Sequence, residues 1–182
     1  MDRQGQTQRS RAATSGFALA LVAHWLMIGG FADLAPASDP GPSASAAGKK
    51  RLAAKVERRL LRCTNVRREK NGLKPLRVAT ALKRAARFHA KNMVRQGFFD
   101  HTDHRGRGPA ERVALFKPKQ RLLAIGENIA AGQGSARSAC SSWMASSGHR
   151  QNILGNYNRI GLGFWSGGTS RRYYVQVFAR AR

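Results

Sequence analysis

The chain has 182 residues, 42% of them hydrophobic, and sets 33 lysines and arginines against 9 acids for a formal charge of +24. That apolar content suits one domain with a real core plus a flanking segment and excludes a disordered chain, while the charge bears on partners and solubility rather than on fold. Two cysteines without C-x-x-C spacing argue against a zinc ribbon.

Arg3, Arg9 and Arg11 precede the 12-residue apolar run Phe17–Ile28, which has the length of a signal-peptide core and falls short of the roughly 20 residues needed to span a bilayer. Ala35 and Ala37 then form an A-x-A site, so residues 1–37 are expected to be a cleaved signal peptide and the protein to be secreted or periplasmic. A second such pair, Ala44 and Ala46, lies just downstream. Cleavage after Ala37 removes three basic and two acidic residues, leaving 30 against 7, or +23. Residues 38–50, "SDPGPSASAAGKK", read as a flexible linker, with the folded domain at 51–182.

Leu52, Val56, Leu60 and Cys63 recur at helical spacing and predict a helix over about 52–71, stopped by Gly72 and Pro75. Leu82, Ala86, His89 and Met93 predict a second helix over about 78–96, ending at Gly97. His89 lies on its apolar stripe, where a hydrogen-bonded core histidine is expected rather than a ligand. Pro109 opens a short helix carrying Glu111 and Arg112, and "SARSACSSWMASS" predicts another. "ENIA" reads as a short strand, and "NRIGLGFW" and "YYVQVFA" as two strands joined by the hairpin connection "SGGTSRR". In the last strand Tyr174, Gln176 and Phe178 face one way, and Tyr173, Val175 and Val177 the other. Helices first and strands last give an α+β or layered αβα domain.

Export changes the reading of Cys63 and Cys140. They form either one disulfide, closing a long loop with a stabilisation of about 4 kcal/mol, or two buried thiols.

The reactive side chains sit where elements begin or end. His101 follows the second helix, Glu127 starts a strand, and His149 lies at a helix start. Such positions present side chains to a cleft.

In order and spacing, "LKRAARFHAKNM", "FFDH", "GRGPAER", "GENIA", "SSWMASSGHRQNIL", "RIGLGF" and "YYVQVFA" resemble the bacterial branch of the CAP superfamily: the cysteine-rich secretory, antigen 5 and pathogenesis-related 1 proteins, or SCP-like extracellular domains. The resemblance spans about residues 56–180. It implies a three-layer αβα sandwich with a small, mainly antiparallel sheet and an open cleft lined by His101, Glu127, Ser146 and His149. Asn65 and Arg68 match an N-x-x-R signature and are expected to be structural; Arg112 is expected to anchor the loop after His101. Eukaryotic members usually carry a second glutamate three residues after the motif tryptophan. Here that position is Ser146, as is common in similar bacterial members, so the fold assignment stands but the four-residue acidic cleft does not.

Two imidazoles and a carboxylate can hold Zn²⁺ or another divalent cation, making His101, Glu127 and His149 the expected metal ligands. The same residues could supply a general base and its orienting partner, yet no nucleophile in a recognisable elbow accompanies them and no catalytic residue is assigned. Structurally, Glu127 and His149 could instead form a buried tie between strand and helix. His104 is expected in solvent, with a ligand role as the alternative. Trp143 and Trp165 are expected to fill the core or line a shallow apolar surface.

The expected protein is a monomeric, non-enzymatic secreted module that binds a lipid, a peptide or an anionic cell-envelope component, without an integral membrane span after processing. A metal-assisted hydrolase or peptidase is the first alternative. A polycation binding anionic envelope polymers or nucleic acid is the second, although no nucleic-acid motif accompanies the charge.

Overall fold

The computed structural model describes residues 42–182; the leader expected over 1–37 and the first residues of the expected linker lie outside the described residues. Nine elements follow in order: α1 (Pro42–Glu69), β1 (Arg77–Val78), α2 (Thr80–Gln96), α3 (Pro109–Ala114), β2 (Leu122–Ala131), α4 (Ala136–Ala145), α5 (Ser147–Leu154), β3 (Arg159–Ser166) and β4 (Arg172–Ala181).

The first helix starts inside the stretch expected to be a linker. Proline is tolerated in a first helical turn and alanine is the strongest helix former, so "PSASAAGKK" supports helix despite its linker-like composition. Residues 45–50 are exposed, and this end of α1 projects beyond the core that its second half covers.

The strands form one sheet in the order β1-β3-β4-β2. β3–β4 and β4–β2 are antiparallel, whereas the two-residue β1 pairs parallel to the start of β3. Layers of helices cover both faces. Leu60 of α1, Trp143 of α4 and Ile153 of α5 pack on one face with Tyr174 and Phe178. Leu82, Ala86 and Met93 of α2 and Val113 of α3 pack on the other with Tyr173, Val175 and Val177. The alternation expected along the last strand is thus what divides the two cores, and the domain is an αβα sandwich.

Two glycines on β3 set the spacing to α2. A Cβ on Gly161 would lie 2.0 Å from the Leu82 carbonyl carbon, and one on Gly163 would lie 2.3 Å from that of Ala86. Helix backbone therefore rests directly on strand backbone.

Cys63 of α1 and Cys140 of α4 form a disulfide, their Cα atoms 6.5 Å apart across a sequence separation of 77. Asn65 exchanges two hydrogen bonds with the backbone of Leu76, and Arg68 donates to the carbonyls of Lys74, Ile153, Gly155 and Tyr157. Both are structural, as expected, and Arg68 ties α1 to the turn after α5.

Candidate functional site

The site is built around edge strand β2, where three consecutive residues do three different jobs. A Cβ on Gly126 would lie 2.6 Å from the Tyr157 hydroxyl and 2.8 Å from Asn152 Oδ1, so a side chain there would have to displace both groups. Glu127 shares the sheet face of Ile129, toward α2 and α3, while Asn128 points the opposite way, toward α5.

Glu127 is almost fully buried and held by a two-pronged ion pair. Arg112 Nη2 donates to its Oε1 at 2.8 Å and its Oε2 at 2.7 Å. Nη1 of the same guanidinium donates to the carbonyls of His101 and Arg107, both at 2.6 Å, so Arg112 binds the loop after α2 and the carboxylate together. Its Nε has no partner, and its side chain is wholly buried.

His101 completes the cluster. Its Nδ1 lies 2.9 Å from Glu127 Oε1, and its side chain is half exposed. Carboxylate oxygens accept, so Nδ1 is the donor in this contact and Nε2 takes no part in it. His89 approaches the same carboxylate oxygen to 3.8 Å from the core side, with Nε2 2.9 Å from the Asp100 carbonyl. Burial pushes its pKa down to about 4 against the pull of Glu127, so the ring is neutral at physiological pH and its approach to Glu127 is not an ion pair. It is the hydrogen-bonded core histidine expected.

Asn128 works on the opposite face. Its Nδ2 donates to the His149 carbonyl at 3.0 Å and to Gln176 Oε1 at 3.1 Å, and its Oδ1 accepts from Asn152 Nδ2 at 2.9 Å. Gln176 Nε2 donates to Thr64 Oγ1, which donates to the Leu60 carbonyl. A buried polar chain therefore runs from the first turn of α5 through β2 and β4 to α1, fixing where His149 stands. The His149 ring is partly exposed, and burial, followed by the charge of His101, lowers its pKa.

The remaining expected residues take plainer places. Ser146 is half-buried at the junction of α4 and α5 and does not cap α5 through its side chain. His104 is exposed, its ring packed edge-on against Phe98. Trp143 lies in the core, donating from Nε1 to the Ile129 carbonyl at 3.0 Å, and Trp165 is half-buried with Lys91 over its ring. Asp103 organises the loop after His101, accepting from the amides of Arg105 and Arg107 and from the Arg107 guanidinium. Burial pushes its carboxyl up, but these donors outweigh burial and hold it at about 2.

The expected three-ligand metal set does not assemble. Among the described residues no group of three or more His, Cys, Asp or Glu side chains is placed to hold a metal ion. The physical reason is that Glu127 spends both oxygens on Arg112 and one also on His101, so it orients an imidazole instead of offering a free oxygen. Sequence reasoning assigned Arg112 to the loop and missed its ion pair with Glu127. It also missed Asn128, Asn152 and Gln176, whose one signal was a polar side chain within an otherwise apolar strand or beside a motif histidine.

Comparison with known proteins identifies the family of this αβα sandwich. Residues 61–178 match the family described as CAP, cysteine-rich secretory protein family, and the chain belongs to that family. It is 35% identical over 114 residues to protein YkwD of Bacillus subtilis (strain 168), covering 62% of this chain and 44% of that one. Its fold is similar to the crystal structure of an extracellular protein containing a SCP domain from Bacillus anthracis str. Ames, with a TM-score of 0.64, 27% identity, and coverage of 74% of this chain and 43% of that chain. An outer surface protein from Borrelia burgdorferi shares the fold at TM-score 0.59 and 19% identity, with 65% of this chain and 87% of that chain covered. The chain thus spans less than half the length of YkwD and of the Bacillus anthracis protein. Among the described residues no helix is long and apolar enough to cross a membrane.

Proposed function

We propose that the protein is a secreted, non-enzymatic CAP module whose cleft, between His101 and His149, binds a small ligand or cell-envelope component. The observation that carries this reading is the locked carboxylate. A general base must be free to take a proton, whereas Glu127 is buried in a bidentate pair with Arg112. No hydrogen bond among the described residues joins a serine or cysteine side chain to His101 or His149, and both cysteines are in the disulfide. A carboxylate behind a half-exposed imidazole could orient a general base as well as a recognition group, so it is the lack of a nucleophile bonded to either ring among the described residues that favours recognition.

The donor set fits a divalent cation such as Zn²⁺ only through the imidazoles, His101 by its Nε2 and His149, with Glu127 behind His101 as the group that fixes its tautomer. A bound cation would supply an electrophilic anchor for an oxygen-bearing ligand.

Calorimetric titration of Zn²⁺ into wild type, His101→Ala and His149→Ala is the test. Binding in wild type should weaken as pH falls through the imidazole range, since protonated histidine cannot coordinate, and each variant should lose at least about tenfold in affinity. Equal binding by all three would remove the cation from this cleft. N-terminal sequencing of protein recovered outside the cytoplasm, expected to begin near Ser38, tests secretion.

Charge favours a second association on the outer surface. Residues 42–182 hold 30 basic residues and 6 acids, and three of those acids, Glu57, Asp103 and Glu127, are buried against Arg87, Arg107 and Arg112. The field is therefore almost wholly positive, and binding to anionic envelope polymers should fall steeply with added salt. Retention on a polyanion column that ignores salt would sink this reading.

A further inference from the structure

The outward face of α1 bears a row of cations. Leu60 and Thr64 turn inward and are fully buried, and Glu57 is nearly so. At about 100° per residue, Arg51, Lys55, Arg58 and Arg62 all point within about 40° of the direction opposite Leu60. All four are exposed. Spaced at i, i+4, i+7 and i+11, they form one straight line about 16 Å long, with neighbouring charges roughly one helical turn apart. Toward the C-terminus the next charged residue in this direction is Glu69, which ends the row.

The row is uncompensated. Among the described residues no carboxylate lies within ion-pair distance of any of its members, and Glu57, adjacent in sequence to Arg58, is taken by Arg87 and Lys83 of α2. Like charges three and four residues apart destabilise a helix, so a face needed only for solubility would be expected to mix its signs. The composition of the face also selects among polyanions. Three of the four cations are arginines, whose planar fork matches phosphate oxygens in pairs. No aromatic residue occurs anywhere in α1, so nucleic-acid bases would find nothing to stack on. Charges one turn apart suit a chain with one phosphate per six backbone bonds, a repeat of about 7 Å when three bonds span about 3.8 Å.

We propose that α1 holds a linear phosphodiester polymer without bases, of the poly(glycerol phosphate) type. Successive phosphates meet Arg51, Lys55, Arg58 and Arg62 along the helix axis. This rests on the reading that the positive field draws anionic envelope polymers, and gives that association a place and a chemistry. It does not depend on the reading given for the His101–His149 cleft.

Anisotropy of fluorescein-labelled poly(glycerol phosphate), prepared by deacylating lipoteichoic acid, measures the binding over a series of salt concentrations. Arg51→Gln/Lys55→Gln/Arg58→Gln/Arg62→Gln keeps helix propensity at exposed positions, so it should fold like wild type and lose at least about tenfold in affinity. Its plot of log K against log salt should flatten by up to about 3, at about 0.7 per phosphate contact on a single strand. Arg77→Gln/Lys119→Gln/Arg121→Gln/Arg182→Gln removes the same charge from exposed positions off α1 and should change affinity by less than about threefold. Single-stranded poly(dT) with as many phosphates should bind within about threefold of the polymer, since bases add no contact. Equal losses in the two variants would mean diffuse attraction, and an α1 variant that binds like wild type would put the polymer elsewhere. Poly(dT) held about tenfold more tightly than the polymer would make the face a nucleic-acid site. Each of these overturns the proposal while the charge reading stands, as would a loss seen only on phosphatidylglycerol vesicles and not with free polymer. Wild type that ignores the polymer even at low salt would end the charge reading itself.

Discussion

Replacing Arg112 with leucine tests the central claim about the site, that a buried guanidinium holds Glu127 and the His101 loop together. The leucine keeps apolar bulk but removes four donated hydrogen bonds, two to the Glu127 carboxylate and one each to the carbonyls of His101 and Arg107. Glu127, with a side chain 1% exposed, would be left without its countercharge. Stranding one member of a buried ion pair costs about 3–5 kcal/mol, a large part of a domain's stability. Glu127→Leu should cost a similar amount by stranding the arginine. The double variant strands neither charge, so its cost should fall short of the sum by about 2 kcal/mol or more, beyond the roughly 0.5 kcal/mol tolerance of independent sites. Urea unfolding of the four proteins gives each value, provided the m-value stays constant. An Arg112→Leu cost under about 1 kcal/mol, or additive single variants, would show that the pair does not carry the site.

Gly161→Ala should destabilise by about 3 kcal/mol or more, because its Cβ would meet Leu82 backbone at 2.0 Å and a helix backbone cannot rotate aside as a side chain can; thermal melting measures it. Replacing Cys63 and Cys140 together by alanine should cost about 4 kcal/mol, most of it by freeing the unfolded chain from a loop of 77 residues, as read by denaturant unfolding. Acid should weaken the fold through His89. Its folded pKa of about 4 lies below the unfolded value of 6.5, so its contribution is full above pH 6.5 and is lost as pH falls toward 4, by up to about 3 kcal/mol. His89→Gln should flatten that part of the stability profile, and an unchanged slope between those pH values would show that His89 is not the group responsible.

Legibility in the sequence followed the physics of periodicity. The last strand was readable because both its faces are buried and its side chains alternate, so the two cores separate at Tyr173 and Tyr174. The second helix was readable from its apolar stripe, within two residues at its start. Strand β1 was not, because two residues carry no period. Strand β2 runs ten residues where only "ENIA" was expected, since its first half is an edge with exposed or half-exposed side chains. The linker-like stretch at 42–50 becomes helix, and its residues 45–50 are exposed, so no apolar stripe announces it. In the site, Glu127 stood out because acids are scarce. Its partner Arg112 is one of 33 basic residues; the resemblance tied it to the loop after His101, but nothing in the sequence paired it with Glu127. The Asn128–Gln176 contact joins residues 48 apart, a pairing that strand register creates and no local pattern encodes.

The scarcity of acids also explains what is particular about Glu127. Glu57, Asp103 and Glu127 are the buried acids among the described residues, and each answers an arginine. Among the described residues Glu57 and Asp103 neither hydrogen-bond nor ion-pair with a histidine, and their work is to fix a helix pair and a loop. Glu127 alone also accepts from a half-exposed imidazole. Because Arg112 holds both of its oxygens, the carboxylate cannot turn to follow His101, and the imidazole must take the direction the carboxylate gives it. Across the strand, Asn128 holds the backbone of His149 by the same logic, through a chain anchored in β4 and α1. Both histidines are thus positioned by groups that are themselves fixed in the sheet, so the ligand proposed for them would not have to order its site first.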